Sequence, residues 1–225
     1  MMEENRRLIA HVDEPGKVRQ LWVNEINGTL EYEMIVNGLF LMATNNADTE
    51  ALLVRQAVAL ADAHGGDILI GGLGMGYSVK EACINSSSLA SIDVVELDPV
   101  VIDWNKTLID CNREYLADSR VRIIQDDFID YVKTTDKRYH AICMDIDNGP
   151  MLLAYEKNAA AYAPSFFARV LEVLHEGGVF AVWSGNRDDQ LVCDMAEAFR
   201  GFSVEEAYQE IQGKRIAYYL FFGIK

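Results

Sequence analysis

Five short apolar runs, at residues 67–71, 92–96, 121–125, 140–145 and 179–184, are each separated from the next by a stretch long enough to hold a helix. Strands that read as nearly unbroken apolar sequence are those with helices on both faces, and an intervening helix makes neighbouring strands parallel. The alternation predicts an α/β chain with a doubly wound, mostly parallel sheet. Residues 202–208 and 216–223 are two further β-favouring runs joined through Gly213, so an antiparallel hairpin is expected to bring that sheet to seven strands. Upstream, residues 17–23, 29–36 and 39–42 are separated by Asn27-Gly28 and Asn37-Gly38, dipeptides suited to tight hairpin turns. A small antiparallel hairpin region over residues 1–46 is therefore expected. A helix over 48–64, stopped by Gly65-Gly66, opens the α/β body at 47–225. No linker separates the two parts, and they are expected to share a core.

In open sheets of this kind, ligands bind beyond the carboxyl ends of the strands. The first run continues as Gly71-Gly72-Leu-Gly74-Met-Gly76-Tyr77, with a helix from about Ser78. Bare backbone there leaves room for a ligand and permits positive φ, although a tight turn alone would use the same residues. The second run ends at Glu96-Leu97, where a carboxylate can accept both hydroxyls of a ribose. Turn and acid together favour a ribose-bearing ligand. The third run ends Gln125-Asp126-Asp127-Phe128. Asp126 can accept from an adenine amino group with the Phe128 ring or backbone N–H beside the base, while either acid can cap the following helix. The fourth ends Asp145-Ile146-Asp147-Asn148-Gly149-Pro150. An acid leaving a buried strand on this edge can bind a cationic amine or take its proton, which favours Asp145; Asp147 lies in turn-forming sequence.

Acidic side chains outnumber basic ones 35 to 20 in the 225 residues, giving a formal charge of −15. Such a surface repels phosphate backbones and excludes nucleic acid as a general partner, while it attracts cations. Cys83, Cys111, Cys143 and Cys193 form no C-x-x-C pair, and no apolar run suits a signal peptide or a bilayer span. A reduced, cytoplasmic chain without membrane attachment is expected. His11, His64, His140 and His175 are scattered without triad or metal-ligand spacing; His140 is read as structural and no metal is expected. Trp104, Phe202, Tyr208, Tyr218, Tyr219, Phe221 and Phe222 are read as sheet packing, and Glu205, Glu206 and Glu210 as a solvated face.

Taken together, these motifs resemble spermidine synthases, the polyamine aminopropyltransferases, within the S-adenosylmethionine-dependent methyltransferase fold. The resemblance rests on the Asn37-Gly38 hairpin, the glycine turn, Val94-Val-Glu-Leu-Asp98, Gln125-Asp-Asp-Phe128, Met144-Asp-Ile-Asp-Asn-Gly-Pro150 and Glu176-Gly-Gly-Val-Phe-Ala181. It implies a Rossmann-like fold that holds S-adenosylmethionine or its decarboxylated form. The implied cofactor residues are Gly71, Gly72, Gly74, Gly76 and Tyr77, then Glu96 and Leu97, then Asp126, Asp127, Phe128 and Asp145. Asp145, Asp147 and Asn148 would act on a small amine substrate, and a homodimer through the opening sheet is implied.

Several positions depart from the family's pattern. Gly74 stands where the family's loop carries an aspartate that binds the donor amine and disfavours a donor carboxylate, so its absence lifts that exclusion. The second acid of the Asp-x-x-Asp-Pro segment aligns with Asn148 unless a one-residue shift lets Asp147 take its place. An expected glutamine aligns with Leu41, and the tyrosine of the diamine pocket is absent, with Thr49 and Glu50 nearby. The resulting expectation is a transferase that uses intact S-adenosylmethionine and moves a methyl or aminocarboxypropyl group to an amine-bearing acceptor. Tyr77, Asp145, Asp147 and Asn148 would line the acceptor side, with Trp183-Ser184 closing it. The alternatives are a true polyamine aminopropyltransferase using decarboxylated S-adenosylmethionine, and a non-catalytic nucleoside-binding protein.

Overall fold

The computed structural model describes residues 6–26, 28–44, 47–62, 65–153, 155–211 and 214–225. Asn27, His64 and Gly213, on which two predicted turns and one histidine reading fall, lie outside the described residues.

The chain opens with a four-stranded antiparallel sheet of β1 (Arg7–Glu14), β2 (Lys17–Ile26), β3 (Thr29–Val36) and β4 (Leu39–Ala43), in that spatial order. Between β3 and β4 both turn residues have positive φ, 51° at Asn37 and 77° at Gly38, as the Asn-Gly dipeptide predicts. Asn37 also ties that turn to β2, its Oδ1 accepting from the Val18 N–H at 2.7 Å. The sequence reading did not anticipate β1. It is an edge strand with little buried surface, so its hydrophobic pattern is faint and pairing with β2 makes it a strand.

The body alternates strand and helix: α1 (Asp48–Leu60), β5 (Asp67–Gly71), α2 (Tyr77–Asn85), β6 (Ser91–Glu96), α3 (Pro99–Thr107) and the single turn α4 (Arg113–Leu116). It continues with β7 (Val121–Gln125), α5 (Phe128–Thr134), β8 (Tyr139–Met144), a 3-10 turn (Glu156–Tyr162), α6 (Pro164–Val173), β9 (Leu174–Ser184), α7 (Asp189–Ala198), β10 (Gly201–Ile211) and β11 (Lys214–Ile224). The seven strands lie in the order β10-β11-β9-β8-β5-β6-β7. Neighbours from β9 to β7 are parallel, and β11 runs antiparallel to both β9 and β10. The doubly wound, mostly parallel seven-stranded sheet is therefore as expected.

Alternate residues of the central strands feed two cores. Ile68 and Ile70 pack on one face of β5, and Leu69 on the other. Leu21, Val23, Tyr32 and Met34 of the opening sheet join Leu53, Val54 and Val58 of α1 in the first of these cores, so the two sheets share apolar packing. Trp104 is buried there too. Tyr208 departs from its reading as sheet packing: it is exposed, with the Arg215 guanidinium 3.6 Å from its ring centre. Among the described residues, no helix is long and apolar enough to cross a membrane.

Candidate active site at the carboxyl ends of the parallel strands

The floor of the site is backbone. The Gly72 N–H donates to the Val95 carbonyl of β6 and the Asp145 N–H to the Gly71 carbonyl, both at 2.9 Å, so the glycine turn is held between the ends of β6 and β8. Gly72 has φ +93°, and a Cβ on it would stand 2.1 Å from the Asp145 carbonyl oxygen. That approach requires glycine for a reason internal to the fold, in addition to the ligand clearance expected from sequence. Gly71 lies against the Phe128 ring, and the Met42 side chain of β4 occupies the space beside Gly74. Gly76 precedes Tyr77 at the start of α2. Two buried amides fix the loop: Asn105 Nδ2 donates to the Gly74 carbonyl at 2.7 Å and Asn112 Nδ2 to the Met75 carbonyl at 2.9 Å. Sequence reasoning missed both. For Asn105 the available signal was an asparagine amid the apolar residues of α3, which needs a partner when buried; Asn112, just before α4, carried no such signal.

Along the β6 flank, Glu96 accepts the Leu73 N–H at 3.0 Å through one oxygen and the Asp98 N–H at 2.7 Å through the other. Burial pushes its carboxyl up, and the two amides only partly offset this. Each carboxylate oxygen keeps a lone pair that a ribose hydroxyl could use. Leu97 is exposed beside it. Asp98, which the sequence did not single out, caps α3 through the Val100 N–H at 3.1 Å and pairs with Lys17 at 2.6 Å and Arg19 at 2.7 Å. Burial alone would raise the Asp98 carboxyl, but the Lys17 and Arg19 hydrogen bonds outweigh it and hold it below the ordinary carboxylate range. Asp127 caps α5 through the Ile129 and Asp130 N–H groups and pairs with Lys157. Asp126 remains as the exposed acid of this edge. The Phe128 ring belongs to the core, 6.2 Å from Phe166, so any contact with a nucleobase would fall to its backbone.

Opposite lies an acidic face. Asp145, at the end of β8, has its carboxyl driven well above the usual range by burial and then by the neighbouring charges of Glu50 and Asp147. Asp147 is buried whereas Asn148 is exposed, its carbonyl accepting the Gly185 N–H at 3.2 Å. Of the two alignments, the fold thus puts Asp147 beside Asp145. Glu50, in the first turn of α1, completes the group, and burial raises its carboxyl too. It accepts the Thr49 hydroxyl at 2.8 Å, while the same Thr49 oxygen accepts Trp183 Nε1–H at 2.9 Å. Trp183 is buried against Tyr218, with ring centres 5.1 Å apart, and is linked to Glu50 through this hydrogen-bond chain. Ser184 is fully buried and donates to the Asn186 carbonyl. Tyr162 lies near the acids, its hydroxyl raised by burial and then by Asp147 and Asp145. The Tyr77 hydroxyl donates to the Thr44 carbonyl at 2.8 Å, and its side chain packs against the core. Burial, reinforced by Asp145, pushes the Cys143 thiol up to about 12, so it is no nucleophile at neutral pH.

A backbone cradle with one flank of ribose-type acceptors and one half-buried acidic face can hold a cationic nucleoside against an ammonium group. Comparisons with known proteins agree with such a site. A polyamine aminopropyltransferase of Prochlorococcus marinus is 29% identical over 134 residues, 59% of this chain and 45% of the relative. The polyamine aminopropyltransferase of Sulfolobus acidocaldarius is 33% identical over 111 residues, 47% of this chain and 36% of the relative. The chain thus spans less than half the length of these curated relatives. Among solved structures, the spermidine synthase of Thermotoga maritima superposes with a TM-score of 0.75 over 97% of this chain and 73% of its own, at 16% identity. A spermidine synthase in complex with the transition state analogue AdoDATO superposes with a TM-score of 0.73, over 97% of this chain and 72% of that one, at 15% identity. These structures establish a shared fold. Residues 52–206, well over half of the sequence, match the spermine/spermidine synthase domain, and the chain belongs to the spermine/spermidine synthase family.

Proposed function

We propose that this protein transfers an aminopropyl group from decarboxylated S-adenosylmethionine to a small diamine. The observation that carries the proposal is the group Glu50, Asp145 and Asp147, in which burial and then the charges of its two neighbours raise Asp145. A cation relieves that repulsion, whereas a donor with its own carboxylate would add to it. The activity of the curated relatives favours this reading over the methyl or aminocarboxypropyl transfer expected from Gly74. Glu96 would hold the ribose, Asp126 the adenine amino group, and Leu97 with the Phe128 backbone would flank the base.

The chemistry asks for an unprotonated amine in line with an activated carbon. Asp145 takes a proton from the acceptor ammonium, a role its raised carboxyl favours because burial and the neighbouring acids stabilise the protonated form. The amine lone pair then attacks the methylene next to the sulfonium. A C–N bond forms as the C–S bond breaks, the bonding pair returns to sulfur, and methylthioadenosine leaves. Holding the two reactants in line supplies much of the rate.

Gly74 supports a second reading, because it and the Met42 side chain beside it bring no carboxylate against that of intact S-adenosylmethionine. Calorimetric titration with both nucleosides, followed by mass spectrometry of a reaction with putrescine, separates the two. Tighter binding of the decarboxylated form and a product heavier by one aminopropyl unit are expected. Equal affinity, or release of S-adenosylhomocysteine, would overturn the aminopropyl reading.

A further inference from the structure

At the opposite edge of the large sheet, Asp67 is the first residue of β5, His140 the second of β8 and His175 the second of β9, on three adjacent strands. Five strand residues, roughly 16 Å, separate Asp67 from Gly72, so this place is distinct from the cleft. One carboxylate oxygen and one nitrogen from each ring lie within 4.8 Å of one another, and all three residues are half-buried and reachable. We propose that Asp67, His140 and His175 form a binding site for a divalent transition-metal ion of the zinc type.

The ligand set is prepared in several respects. The two imidazole rings stand with centres 4.2 Å apart at 33°. The ring of His140 is fixed by crowding at the strand start, since a Cβ on Gly66 would lie 2.5 Å from its Nδ1. That Nδ1 accepts the Asp67 N–H at 3.1 Å, so its lone pair is unprotonated and turned toward Asp67. An arriving ion exchanges this long amide contact for a coordinate bond and leaves Nε2–H to donate outward, the arrangement usual for a ligating histidine. Asp67 Oδ1 rests on Lys137 Nζ at 2.8 Å, which orients the carboxylate and leaves its other oxygen open.

Two ligands on one zinc ion stand at most about 4.2 Å apart, so small side-chain rotations close the set. Two imidazoles and one carboxylate suit zinc, nickel, cobalt or copper rather than calcium or magnesium. Lys137, Arg138 and Lys225 oppose a cation here, with Glu176 as partial compensation, and this sets the affinity below that of a four-ligand structural site.

The test uses tag-free protein stripped with chelator. Titration with Zn2+ alone should show one equivalent bound and a rise in Tm, and Co2+ should give a visible absorption band from histidine coordination. His175→Ala should abolish the band, and Asp67→Asn should weaken Zn2+ binding about tenfold, with the circular dichroism of both variants unchanged. Methylthioadenosine affinity, measured in parallel, should not respond to the ion. Absence of stoichiometric binding in the parent protein, or a Co2+ band that survives His175→Ala, would overturn the proposal.

Discussion

Asp145 meets two conflicting demands. Half-buried beside Glu50 and Asp147, its charged form is disfavoured while no cation is near, and under the proposed function the same poise would let it take a proton from an amine. Asp145→Asn is therefore expected to lower turnover at least about 100-fold, with methylthioadenosine affinity unchanged by calorimetry. The ligand-free variant should also melt higher by a few degrees, because a repelling charge is gone. The folded pKa is raised, so the stability tied to the protonated form is complete below the ordinary carboxylate range and is lost as pH rises through the folded value. The Tm advantage of Asp145→Asn should accordingly widen with rising pH in a melting series. Glu50→Gln removes one acceptor for the ammonium and should raise KM for the diamine about tenfold, near 1.4 kcal/mol, while steady-state kcat changes less. Asp145 was legible because it leaves an apolar strand at the ligand edge. Glu50 was noted only as a neighbour of the missing diamine-pocket tyrosine; its place beside Asp145 comes from the packing of α1 beside β8, and nothing in the local sequence of Thr49-Glu50 signals the Trp183 partner.

At the scale of elements, the glycine turn shows how two similar positions differ in consequence. A methyl at Gly72 meets a backbone carbonyl that cannot move without β8, whereas one at Gly74 meets the far end of the flexible Met42 side chain. Gly72→Ala should cost roughly 2–4 kcal/mol in urea unfolding, from strain at positive φ plus the clash, and should remove nucleoside binding. Gly74→Ala should cost about half as much and keep binding. A reversed order of the two urea midpoints would show that the floor is not fixed by β8. The strand ends around this turn could be read from sequence because both faces of β5, β6 and β8 are buried and their apolar runs stop where burial stops. The edge strand β1 lacked that signal, and β9 starts earlier than its apolar run because the 174–178 segment bulges opposite β8. Asp127 and Asp126 were indistinguishable as neighbours in sequence; the helix start selects Asp127 as the cap.

Over the whole molecule, the alternation of strand and helix was enough to predict the large sheet, and the absence of a linker predicted that the opening sheet shares its core. What the sequence could not display was the polar join between the two sheets. Arg19 reaches from β2 to Asp98, two residues beyond Glu96, and both partners are buried. The Asp98 N–H is itself donated to the Glu96 carboxylate. A ribose held by Glu96, as proposed, would therefore pull against the opening sheet at the opposite end of one short peptide. Under the proposed function, residence time in the cleft would gauge how firmly the opening sheet is seated. Arg19→Met should release methylthioadenosine several-fold faster in a stopped-flow displacement, and an unaltered escape rate would mean that the peptide does not transmit the pull.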